Sequence, residues 1–178
     1  MIPSHLSGNR PGDNGDSEDF ILDCRSEQQT VDLGRVFAQC LRPGHTVLLN
    51  GQLGSGKTGL VRATCIALGI APERVNSPTF VLMQLYEDGA IPVAHFDTYR
   101  LADSDEFLAI GGDEYLECGR FVSFVEWAER IADVLPVDAL SVMILQTGET
   151  SRQFHFHADG LRSRELLRQL RDTLSHQP

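Results

Sequence analysis

Along the chain, short apolar runs alternate with stretches in which apolar residues return every three or four positions. The first pattern marks strands and the second marks helices. Phe20-Ile21-Leu22 predicts a short edge strand. Ser26 followed by Gln29 is a capping-box pair. Leu33, Val36, Phe37, Cys40 and Leu41 then recur at helical spacing up to the break at Pro43-Gly44. Thr46-Val47-Leu48-Leu49 is short enough for a buried strand, and Leu60, Val61, Cys65 and Leu68 share a helix face that Gly69 ends. Residues 80–86 and 91–96 predict two strands about the turn Asp88-Gly89, with Pro92 among the first residues of the second. Residues 103–117 predict acidic helix broken at Gly111-Gly112. Residues 121–125 predict a second buried strand, followed by a short helix to about Val134 that Pro136 stops. A strand pair at 140–145 and 153–157 follows. Leu166, Leu167, Leu170 and Leu174 mark a closing amphipathic helix.

Helices interspersed with strands predict an α/β fold with a mainly parallel sheet and antiparallel additions. Residues 1–18 are rich in Gly, Pro, Ser, Asn and Asp and predict a disordered tail, leaving residues 19–178 as a single domain.

One loop changes this picture. Gly51-Gln52-Leu53-Gly54-Ser55-Gly56-Lys57-Thr58 matches G-x-x-x-x-G-K-[ST] and sits between a predicted strand and a predicted helix. In such a loop the glycines let backbone N–H groups turn in on an anion, the lysine reaches the outer phosphates and the threonine hydroxyl meets Mg²⁺. The helix N-terminus behind it favours the same charge. The fold expected is therefore a three-layer sandwich like those of P-loop nucleotide-binding proteins. Composition reinforces this: of 15 basic residues fourteen are arginine, and Lys57 is the single lysine. A preference for arginine explains the fourteen but not the compact ammonium kept at Lys57.

A net charge of −10 argues against unaided binding of nucleic acid, which needs a basic footprint. Cys24, Cys40, Cys65 and Cys118 are widely spaced with no C-x-x-C pair, so neither a zinc template nor a disulfide framework is expected. With no apolar run of membrane length and no signal-like start, a soluble cytoplasmic protein is expected.

A phosphate loop needs an acid at the carboxyl end of a neighbouring strand. Asp97 ends the strand at 91–96 and Glu126 ends the one at 121–125. Thr79 in the turn Asn76-Ser77-Pro78-Thr79 is a third candidate, as a loop threonine that senses phosphate and metal. His155 and His157 alternate on one strand face and read as paired surface histidines. Arg100 and the arginines at 162, 164, 168 and 171 read as exposed or structural.

With these residues together, the chain resembles the TsaE (YjeE) family of bacterial ATPases, which act in making threonylcarbamoyladenosine (t6A) in tRNAs that read ANN codons. The resemblance covers about residues 26–146. It rests on the phosphate loop, Ser77-Pro78-Thr79-Phe80, His95-Phe96-Asp97-Thr98-Tyr99-Arg100-Leu101, Glu114-Tyr115-Leu116 and Val125-Glu126-Trp127, in that order. It implies that Lys57 and the loop residues Gly51, Leu53, Gly54, Ser55, Gly56, Thr58 and Gly59 bind ATP. It further implies that Thr58 and Glu126 hold Mg²⁺, that Asp97 orients water near the γ-phosphate, that Thr79 belongs to a switch-like loop, and that Trp127 packs near the nucleotide. The segment about Arg25-Ser26 is expected to meet adenine. The implied partner is the TsaB–TsaD complex, with tRNA reached only indirectly and no membrane. Two positions depart from the family pattern: Gln52 stands where an acid is usual, and Gly59 stands where threonine is common.

A small-molecule kinase is the alternative, since it uses the same loop. It would need an arginine-rich lid, and from Thr98 to Arg120 the only basic residues are those two arginines at 100 and 120. A GTP switch is excluded in its usual form, because Asn-Lys-x-Asp cannot occur in a chain whose lone lysine is Lys57.

Overall fold

Residues 17–176 are described in the computed structural model; residues 1–16 of the expected tail lie outside them. The strands are β1 (Glu18–Cys24), β2 (Thr46–Asn50), β3 (Met83–Tyr86), β4 (Val93–Asp97), β5 (Val122–Glu126), β6 (Leu140–Gln146) and β7 (Arg152–Ala158). They form one sheet in the order β1-β7-β6-β2-β5-β4-β3. Its centre, β6-β2-β5-β4, is parallel. Antiparallel strands extend it on both sides: β3 on β4, and β7 then β1 on β6. The parallel centre with antiparallel additions is the arrangement the pattern predicts.

The helices are α1 (Glu27–Cys40), α2 (Lys57–Ala67), α3 (Ser104–Ala109), α4 (Gly112–Glu117) and α5 (Leu161–Ser175). Helix α1 starts where its cap predicts: Ser26 Oγ accepts from Gln29 N–H at 3.3 Å. The reciprocal bond is displaced by one residue, with Gln29 Oε1 accepting from Arg25 N–H. One core lies under α1, α2 and α5, where Phe37, Leu60, Val61 and Leu167 meet Val47, Leu49, Phe154 and Phe156. A second lies on the opposite face of β4 and β5, where Phe96 and Val125 meet Phe107 and Leu116. Helix α3 has only six residues, too few to persist alone. Burial of Phe107, worth about 1.5–3 kcal/mol, anchors it, with its ring edge-on to Phe96 at 5.3 Å.

Helices thus cover both faces only around β4 and β5. The far faces of β1, β6 and β7 leave Ile21, Met143 and Leu145 exposed. The buried thiols are inert: burial pushes Cys65 up to about 12 and Cys24 up to about 11.

Some boundaries differ from expectation. Strand β3 begins at Met83 and not at Phe80, because Leu82 has φ 66°, which ends extended pairing, and Phe80 and Val81 face solvent. Residues 87–92 connect β3 to β4, longer than a two-residue Asp-Gly hairpin. The short helix after Trp127 is one 3₁₀ turn, Ala128–Ile131, and β1 runs seven residues along the sheet edge.

Candidate functional site

Strand β2 delivers the chain into residues 51–56, and α2 begins at Lys57. Two glycines make that reversal possible. Gly51 has φ 143°, and a methyl there would strike the Ile144 carbonyl oxygen. Gly56 caps α2 at φ 106°. Lys57 is only 4% exposed. Its Nζ donates to the carbonyls of Gly51 (2.7 Å) and Gln52 (3.0 Å) and stands 3.8 Å from the centre of the Trp127 ring. Burial lowers its pKa below 10.5, while the charges of Glu126, Glu129 and Asp97 oppose that shift. An anion entering the loop would replace two neutral acceptors of the ammonium with charged ones, adding ion-pair attraction to the hydrogen bonds.

Thr58, one residue on, donates from Oγ1 to the Glu126 carboxylate at 2.7 and 3.0 Å. Glu126 ends β5 beside β2 and is buried. Its Oε1 also lies 2.8 Å from Nε2 of His95, which is fully buried on β4. With its hydrogen on Nε2, His95 donates to the carboxylate and leaves Nδ1 as a buried atom without a partner.

Asp97 ends β4 directly opposite Glu126 in the parallel register. Its Oδ2 accepts from Thr79 Oγ1 (2.5 Å) and Ser77 Oγ (3.0 Å), and its Oδ1 accepts from Tyr99 N–H (3.0 Å). The polar turn at 77–79 is thereby tied to the strand end.

Trp127 follows Glu126 with φ 60°, a backbone conformation that costs a non-glycine residue roughly 1–2 kcal/mol. Two contacts hold it there. Thr98 Oγ1 shares its hydrogen between the carbonyls of Glu126 (3.0 Å) and Trp127 (2.8 Å), and Trp127 N–H donates to Leu49 O at 2.9 Å. The indole is thus fixed between Lys57 and the Tyr99 ring, whose centre is 5.0 Å away.

Lys57, Thr58, Thr79, Asp97, Glu126 and Trp127 all line one cleft of about 270 Å³. A larger groove of about 550 Å³ lies between α1 and α2, but its walls carry none of these acids. The cleft suits a magnesium-bound phosphate chain. Thr58 and Glu126 offer hard oxygen donors at one point, and Mg²⁺ favours one or two carboxylates completed by substrate oxygens and water. Ser55 Oγ, inside the loop, is buried without a partner.

The remaining predicted positions fall as follows. Leu53 and Gly54 form the exposed lip, with Leu53 80% exposed. Gln52 serves through its carbonyl, and Gly59 lies in the first turn of α2 with nothing within 4 Å of an added Cβ. Arg25 and Ser26 form the entry to α1. Arg100 stacks on exposed Phe80. His157 bridges Asp19 and Asp159, and His155 contacts Gln153. In α5, Arg168 pairs with Glu18 and Arg171 covers Phe20.

Sequence reasoning missed three contributors: the His95 contact to Glu126, the Ser77 bond to Asp97, and Arg152, whose Nε donates to Ser55 O at 2.7 Å. His95 and Ser77 stand inside recognisable motifs, so a signal existed. Arg152 comes from β7, far along the chain, and had none.

A glycine loop before a helix, a buried lysine, and two acids ending parallel strands beside it define a P-loop protein of the α/β class. A family model described as "Threonylcarbamoyl adenosine biosynthesis protein TsaE" matches residues 24–154. The chain is 37% identical over 143 residues to the tRNA threonylcarbamoyladenosine biosynthesis protein TsaE of Bacillus subtilis (strain 168), covering 80% of this chain and 88% of that protein. It is 36% identical over 129 residues to the protein of the same name from Treponema pallidum (strain Nichols), covering 72% and 93%. A crystal structure titled as that of "Bacillus subtilus YdiB" superposes with a TM-score of 0.74 at 28% identity, covering 89% of this chain and 98% of that one. The chain belongs to the TsaE family of threonylcarbamoyl adenosine biosynthesis proteins.

Proposed function

We propose that this chain is a Mg-dependent ATPase that serves t6A modification of tRNAs reading ANN codons, working in the cytoplasm with the TsaB–TsaD complex. Residues 19–178 form its single working domain. The observation that carries this reading is the convergence of Lys57, the Thr58–Glu126 pair and the Ser77–Thr79–Asp97 cluster on one cleft at the carboxyl ends of β2, β4 and β5. That is where open α/β sheets bind ligands.

In this account the loop amides from Gly51 to Gly59 and Lys57 Nζ hold the ATP phosphates, with Lys57 leaving its two carbonyl acceptors to do so. Thr58 and Glu126 hold Mg²⁺. When bound there, the metal would supply positive charge to offset the negative charge developing on the phosphate. Asp97 orients the attacking water and accepts its proton. It is freed for that role when Thr79, now on its Oδ2, turns to the ligand. Trp127 keeps the lysine and the cleft wall in register. With a net charge of −10, the protein meets tRNA through its partners.

Purified chain with Mg-ATP should release phosphate slowly, and faster once TsaB–TsaD is added. Lys57→Ala should abolish both rates. Unchanged turnover in that variant would remove the site assignment, and transfer of phosphate to a small acceptor would favour a kinase instead.

A further inference from the structure

Against the phosphate loop stands a guanidinium that does not line the cleft. Arg152 opens β7, and β7 pairs with β6, which lies next to β2. This pairing carries the side chain beneath the loop. Its Nε donates to Ser55 O at 2.7 Å, and a Cβ placed on Gly56 would sit 3.5 Å from that nitrogen. Its Nη1 donates to Ser151 O (2.8 Å), Gly148 O (3.2 Å) and Glu149 O (3.3 Å), the carbonyls of the exposed turn between β6 and β7. Gly56 lines the cleft, whereas Arg152 does not.

The geometry has a consequence for the loop. All peptide bonds among the described residues are trans, so the Ser55 carbonyl and the Gly56 N–H point in opposite directions. Holding that carbonyl back toward Arg152 aims the Gly56 N–H forward, toward the cleft. Gly56 has left-handed φ and no side chain to fix it, so the peptide is otherwise free to rotate. The planar fork of arginine serves the two carbonyl sets from separate nitrogens held in fixed geometry, where a lysine would offer a single nitrogen.

We propose that Arg152 is a positioning residue for nucleotide binding: it presets the Ser55–Gly56 peptide of the phosphate loop and ties that setting to the turn at 148–151. The proposal rests on the nucleotide-site reading and adds to it a residue from the opposite end of the domain. Because coupling is reciprocal, nucleotide in the cleft also steadies that turn.

The test is equilibrium titration of the full chain with ADP and with Mg-ATP, comparing wild type, Arg152→Ala and Arg152→Lys. Arg152→Ala should raise both dissociation constants about tenfold, or about 1.4 kcal/mol. Arg152→Lys should fall between the two. Millimolar guanidinium should restore part of the Arg152→Ala loss, which repair of general stability would not do. If Arg152→Ala does not fold, Arg152→Lys with the same rescue carries the test. Affinity within twofold of wild type, or a loss that guanidinium leaves untouched, overturns the proposal. If wild type binds nucleotide and the variants bind equally well, only the role of Arg152 fails. If wild type binds none, the nucleotide-site reading fails as well.

Discussion

Asp97 and Glu126 are the same kind of group at the ends of neighbouring strands, yet their surroundings differ, as do the roles proposed for them. Glu126 is buried between Thr58 and His95, a setting that fixes both carboxylate oxygens toward the start of α2. Asp97 is held by two hydroxyls from a turn, contacts that can exchange as that turn moves. Asp97→Asn should therefore keep Mg-ATP affinity within a few fold while single-turnover hydrolysis drops by roughly 10²–10⁴, the usual worth of a positioned base. Glu126→Gln should instead raise the Mg²⁺ concentration needed for ATP to bind. If Asp97→Asn loses affinity as severely as Thr58→Ala, the division is wrong. Both acids were legible as strand-terminating residues. Their different partners were not, because His95 and Ser77 reach them across strand and turn contacts that spacing does not encode.

At the scale of elements, α5 shows how a helix start can hide from the sequence. Its N-cap is Gly160, which has no side chain to offer, and the capping acceptors come from Asp138: Oδ2 takes Arg162 N–H at 2.9 Å and Oδ1 takes Ser163 N–H at 2.8 Å. A methyl on Gly160 would collide with the Asp138 carboxylate. Burial alone would raise the Asp138 carboxyl, but these two backbone donors and the Ser163 and Arg162 side chains outweigh it and hold the group below 3.8. Asp138→Ala should cost about 1 kcal/mol in urea unfolding at neutral pH, or roughly 2–4 °C in melting temperature. The carboxyl is depressed in the fold, so its contribution is present above 3.8 and disappears as pH falls through the lower folded value. The gap between wild type and variant should accordingly close only in acid. A gap that persists unchanged well below that range would assign the loss to packing. The helix body was legible from Leu166, Leu167, Leu170 and Leu174, and its cap was not. The early start expected for β3 failed for a related reason: Phe80 and Val81 look like strand residues, but they are exposed loop residues of the turn tied to Asp97.

The whole molecule joins two cores on opposite sides of one sheet, and the cleft opens where the parallel strands of both cores end. Its parallel centre followed from short apolar runs interspersed with helical stretches. The partial second layer did not, since Ile21, Met143 and Leu145 are apolar residues left in solvent. Among the described residues no helix is long and apolar enough to cross a membrane. The role proposed for this acidic domain with its cleft is to serve tRNA modification through partner proteins. It is tested most directly by t6A formation over repeated rounds in a reaction containing tRNA, TsaB–TsaD, a threonylcarbamoyl donor and this chain. Modification should continue with wild type and Mg-ATP, and should fail with Lys57→Ala or a non-hydrolysable ATP analogue. Modification that proceeds undiminished with Lys57→Ala, or with no chain added, would contradict the account.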